Sequence, residues 1–82
     1  MDAAKLVKMA NAIASFFHGE SVRPVAVAGV AGHISRFWEP RMRRELLRWN
    51  DEHEGEGLSD LVREAIATHR DQLTPKTPAV AG

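Results

Sequence analysis

The sequence contains no cysteine and no tyrosine, only three phenylalanines and two tryptophans, and no net charge. Without cysteine there are no disulfides, no thiolate metal ligands, no iron–sulfur ligation and no thiol nucleophile. At 82 residues the chain makes one domain, and a domain of this size hides only about 60% of the surface its unfolded form exposes. Cross-links cannot add to so small a core, which leaves a metal, a second copy or a larger partner to do so. Eleven basic residues balance eleven acidic ones, so only a local patch could attract nucleic acid or an anionic membrane. The longest apolar-rich stretch, residues 25–31, falls far short of the roughly 20 residues a membrane span needs. Met1-Asp2-Ala3-Ala4-Lys5 places an acid before the first base and does not resemble a signal peptide. These absences lead us to expect a cytoplasmic protein without a membrane segment.

The chain does carry helical periodicity. Leu6, Ala10, Ile13 and Phe17 fall at steps of four, three and four, with Val7, Met9, Ala14 and Phe16 widening the stripe, which predicts a helix over 2–17 with one buried face. Asp2 is placed to cap it; Lys5, Lys8, Asn11 and Ser15 form its outer side, and Gly19 is suited to a left-handed ending. A second helix over 24–38 starts at Pro24 and repeats Val27, Val30, Ala31, Ile34, Phe37 and Trp38. Val25 to Val30 also suits a short strand, but no second strand exists to pair with it. Gly29 and Gly32 weaken this helix and would permit close approach of another backbone.

Glu39-Pro40 breaks the helical ladder, and a third helix is expected over 40–52. Met42, Leu46, Trp49 and His53 share one face there, Arg41, Arg44 and Arg48 another, with Leu47 off both. Residues 51–57 hold four acids and two glycines and read as a solvated loop. Ser59 or Gly57 can start a fourth helix over 58–73, with Leu58, Leu61, Val62, Ala65, Ile66 and Leu73 as its buried stripe. The expectation is an all-α bundle of four short helices over 1–73, followed by a disordered Pro-containing tail over 74–82.

The most informative stretch is 33–44, which holds Phe37, Trp38 and the arginines Arg36, Arg41, Arg43 and Arg44 around Pro40. With Arg48 these residues form the candidate partner-binding set. Phe37 and Trp38 lie on opposite edges of one stripe: either both pack against the third helix or, as we expect, Trp38 or Phe37 serves as an apolar anchor for a partner. Arginine pairs bidentately with carboxylates and phosphates, although Glu45 can neutralise Arg41 and Arg48 within the helix. Nucleic acid is disfavoured by the zero net charge, by the acidic loop after the basic helix, and by a connection too long for a helix-turn-helix.

The histidines His18, His33, His53 and His69 lie in four separate segments, none at the spacing of a helical metal pair. No serine has a base and an orienting group in reach, and the paired acids sit in a loop unable to hold acid–base geometry. We expect no catalytic, cofactor-binding or metal residue in this chain.

Three groups of residues carry a family resemblance: Met9-Ala10-Asn11 with Ile13-Ala14 and Phe16-Phe17; His33-Ile34 with Arg36-Phe37-Trp38 and Pro40-Arg41-Met42-Arg43; and Gly57-Leu58 with Leu61-Val62 and Ala65-Ile66. In them the chain resembles the delta subunit of soluble NAD-dependent formate dehydrogenases. It departs from that pattern at Glu39, where the family carries aspartate, a stronger N-cap. The resemblance implies an accessory subunit of an enzyme that oxidises formate to carbon dioxide and reduces NAD. It also implies an alpha subunit with a molybdenum or tungsten pterin, partner beta and gamma subunits, and iron–sulfur clusters and FMN held by those other chains. The implied role is to bind the alpha subunit and support assembly, cofactor insertion or stability. A helical nucleic-acid-binding regulator using the same arginines is the alternative, and a free-standing homodimer a third.

Overall fold

The computed structural model describes residues 2–76, and they form helices joined by short turns. In order these are α1 (Ala3–Phe16), α2 (Arg23–Phe37), α3 (Pro40–His53), α4 (Asp60–Thr68) and α5 (Arg70–Leu73); no strand occurs among the described residues. Residues 77–82, most of the expected tail, lie outside the described residues.

α1 and α4 begin with a side-chain cap, and α2 and α3 with a proline in the first turn. Asp2 accepts from Ala4 N at 3.1 Å, and Ser59 rather than Gly57 caps α4, accepting from Val62 N at 3.4 Å. Prolines occupy the first turns of α2 and α3, where their missing N–H costs nothing. Glu39 makes no capping hydrogen bond from its side chain, as expected of glutamate at that position.

α2 is the central element. It packs against α1, α4 and α5, while α1 also contacts α3 and α4. Leu6, Ala10, Ile13 and Ala14 from α1 meet Ala26, Val27, Val30, Ala31 and Ile34 from α2, together with Leu61, Val62, Ala65, Ile66 and Leu73. The bundle is elongated, 44 × 22 × 19 Å.

Four expectations need correction. Helix α1 ends at Phe16, and Gly19 does not take the left-handed conformation; the helix closes with Phe17 N–H donating to Ala14 O. The fourth helix is two: the chain turns at His69 (φ −118°, ψ 33°), which lets Leu73 return to the core. Leu47, off both sequence stripes, is buried, because α3 presents Leu46 and Leu47 together.

The last correction concerns residues 51–57, which are fastened to the bundle. Asn11, read from the sequence as solvent-facing, donates to Gly57 O and accepts from Ser59 N, both at 2.9 Å. One carboxamide thus serves both a donor and an acceptor of the loop. Trp49 Nε1 donates to Glu56 O at 2.9 Å, and its ring stacks on His53 with centroids 3.9 Å apart. Gly55 is required here: its φ is +70°, and a Cβ would lie 2.7 Å from Arg63 Cδ and 2.8 Å from Asn50 Oδ1.

Candidate docking face

The turn between α2 and α3 is built from two extended residues. Trp38 (φ −93°, ψ 137°) ends α2, its N–H donating to Ile34 O, and Glu39 (φ −64°, ψ 154°) opens α3. Proline at position 40 favours that extended geometry in the residue before it. The turn sends the adjacent aromatics opposite ways. Trp38 is 6% exposed and belongs to the core, whereas Phe37 is 70% exposed, its ring tilted against His33 with centroids 4.7 Å apart. Burial therefore excludes Trp38 as a surface anchor, and Phe37 is the aromatic available at the corner.

The five arginines divide into two groups. Arg43 points inward, its Nη1 donating to Ser35 O at 3.1 Å, where a guanidinium satisfies a carbonyl near the C-terminal end of α2. Ser35 Oγ accepts from Gln72 Nε2 at 3.1 Å, joining α5 to the same knot. Arg48 is paired with Glu45, its Nη2 lying 2.7 and 3.0 Å from the two carboxylate oxygens. Arg36, Arg41 and Arg44 are exposed and have no carboxylate partner among the described residues. The outward positive charge at the corner is thus carried by three residues, and Arg43 and Arg48 are largely committed within the chain.

Beside Phe37 runs a surface that the buried stripe of α2 does not announce. Val25, Gly29, Gly32 and Arg36 follow at steps of four, three and four, with Ala28 beside them, on the helix side away from the core. Val25 is 54% exposed. Phe17, Ala28, Gly29, Gly32, His33, Arg36 and Phe37 enclose an open groove of about 320 Å³. The two glycines differ in what they meet: a Cβ at Gly29 would collide with the Phe17 ring, and one at Gly32 would meet nothing within 4 Å. Gly29 therefore makes room for an aromatic ring of this chain, not for a backbone. Phe16, read as part of the buried stripe of α1, is 82% exposed. Phe17, on the primary stripe of steps four, three and four, is half-buried, whereas Phe16, which only widened that stripe, faces outward.

Other surface charges form ion pairs that hold helices together. Arg23 Nε lies 2.7 Å from Glu64 and Arg70 Nη2 lies 2.6 Å from Asp51. The hydrogen bond from Arg70 holds the Asp51 carboxyl below its usual range, and the same bond raises Arg70. Among the described residues no three His, Asp or Glu side chains stand together as a metal-holding group. No helix among them is long and apolar enough to cross a membrane.

Compared with known families, the chain matches the model of the NADH-dependent formate dehydrogenase delta subunit FdsD over residues 5–66. That span contains most of α1, all of α2 and α3, the clamped loop, most of α4 and the whole Phe37 corner. No curated protein and no solved structure gives a significant match.

Proposed function

From the premise that this chain belongs to the NADH-dependent formate dehydrogenase delta subunit family, we propose that it is a non-catalytic accessory subunit. It binds the large metal-pterin alpha subunit within a cytoplasmic complex that also contains beta and gamma subunits. Its contribution there is to assembly, cofactor insertion or stability. The holoenzyme converts formate and NAD to carbon dioxide and NADH, with molybdenum or tungsten pterin, iron–sulfur clusters and FMN residing in the other subunits.

The observation that supports this reading best is the corner itself: a phenylalanine 70% exposed beside three arginines lacking carboxylate partners among the described residues. A large exposed aromatic flanked by arginine is a common composition for the energetic centre of a protein interface. The ligand chemistry of this chain bears on the holoenzyme's metal centres alone. It has no cysteine for an iron–sulfur cluster, and its described histidines and acids do not gather into a ligand set. Adhesion is the chemistry these side chains can perform.

The test is co-expression of the tagged chain with the other formate dehydrogenase subunits, followed by capture. Arg41→Ala combined with Arg44→Ala should weaken recovery of the alpha subunit, and the gap from wild type should narrow at raised salt, where screening removes what the arginines contribute. Unchanged recovery would remove the arginine row from the interface. If cells lacking the chain make enzyme with full activity and full metal content, the accessory role is contradicted.

A further inference from the structure

Gly32 is a glycine that the fold of this chain does not require. It lies inside α2, where glycine weakens a helix relative to alanine, and the space its Cβ would occupy is empty out to 4 Å. Gly29, one turn earlier, is explained by the Phe17 ring against it. Around Gly32 the groove has apolar or small walls, Phe17, Ala28 and Phe37, and at one end His33 and Arg36. No acid lines it, and Arg36 has no carboxylate partner among the described residues.

We infer that this groove seats an acidic amphipathic helix of another formate dehydrogenase subunit. That helix sets an apolar side chain over Gly32, between Phe17 and Phe37, and presents a carboxylate to Arg36. The inference rests on the accessory-subunit reading and deepens it by naming the partner's chemistry and its seat. Charge complementarity selects the occupant. A second copy of this chain docked by the same face would bring no carboxylate to Arg36, since no acid lines the groove. A segment bearing aspartate or glutamate can meet Arg36 in a bidentate pair. The missing side chain at Gly32 gives the incoming residue depth, and Phe37 covers it from the side.

The first experiment co-expresses full-length variants with the remaining subunits and captures them by a tag on this chain. Circular dichroism of each purified variant verifies its fold. Gly32→Trp fills the groove without touching the core, and recovery of the partner subunits should fall about tenfold or more; Gly32→Ala should recover far more than Gly32→Trp. Because the native chain has no cysteine, Val25→Cys gives a single thiol at the end of the groove face for a benzophenone maleimide label. Irradiation of the labelled chain in the complex should join it to an acidic helix of a different subunit. Undiminished recovery with folded Gly32→Trp overturns the inference while the accessory reading stands. Cross-linking to a second copy of this chain, or to a segment without acids, overturns it as well. Failure of the wild-type chain to recover any subunit overturns both.

Discussion

On one face of α2, Ala26, Val27, Val30, Ala31 and Ile34 are each at most 2% exposed beneath α1, α4 and α5. On the other, Val25 is 54% exposed, Ala28 is open, and Gly29 and Gly32 floor a groove beside Phe37. Both faces are poor in charge until Arg36. A helix that is apolar all round is normally buried all round, so the open side of α2 has the composition of a surface awaiting cover. On the docking proposal, the difference between the faces separates residues that fold this chain from residues that meet its partner. Substitutions on the first face should act on stability, and those on the second on association.

The sharpest way to break that division is to cut both faces and compare. Ile34→Ala removes a fully buried side chain and should cost about 2–5 kcal/mol, a large part of the stability of so small a domain, read by denaturant unfolding. Phe37→Ala, three residues on, should change unfolding by no more than about 0.5 kcal/mol. Comparable losses from the two would show that the faces are not distinct.

A second prediction concerns the clamp on the loop. Asn11→Ala should destabilise by about 1–3 kcal/mol, since Gly57 O and Ser59 N lose their partner together. Hydrogen exchange should then report faster opening of residues 54–59. If exchange there is unchanged, the loop is held chiefly by Trp49 and Gly55.

The glycines sharpen the comparison on α2 itself. Gly29→Ala should destabilise by about 1–3 kcal/mol, because the Phe17 ring must move. Gly32→Ala should stabilise the isolated chain by about 0.5–1 kcal/mol, raising the melting temperature by several degrees. Opposite signs at two glycines three residues apart would be hard to explain unless one serves the fold and the other does not.

The smallest effect belongs to the Asp51–Arg70 pair, which is exposed and screened. Because the Asp51 carboxyl is lowered by its bond from Arg70, its contribution is fully present above the ordinary aspartate range. That contribution is lost as pH falls through the lowered value. The melting-temperature gap between wild type and Asp51→Asn should therefore be constant near neutrality and close in strong acid.

The helices and most of the core were legible in the sequence because steps of three and four mark a buried face directly. The fate of Phe37 and Trp38 was not, since neighbouring residues on one stripe are separated only by where the turn at Glu39-Pro40 aims them. Asn11 escaped notice for a related reason: its partners lie 46 and 48 residues away, and a carboxamide on an outer face carries no local sign of them. The turn at His69 has no glycine or proline to announce it. Within the arginine group, the sequence marked Glu45 as a partner for Arg48 but not Ser35 O as a partner for Arg43, because a carbonyl at a helix end has no side-chain signature. Val25 and Ala28 were masked by the stronger stripe on the other side of the same helix.

The most direct test of the division between a folding face and a docking face is hydroxyl-radical labelling of the phenylalanines, free and within the assembled enzyme. In the free chain the Phe37 ring should be readily modified; in the complex it should be strongly protected. Equal modification of Phe37 in both states, in a preparation where the chain is demonstrably bound, would contradict the account.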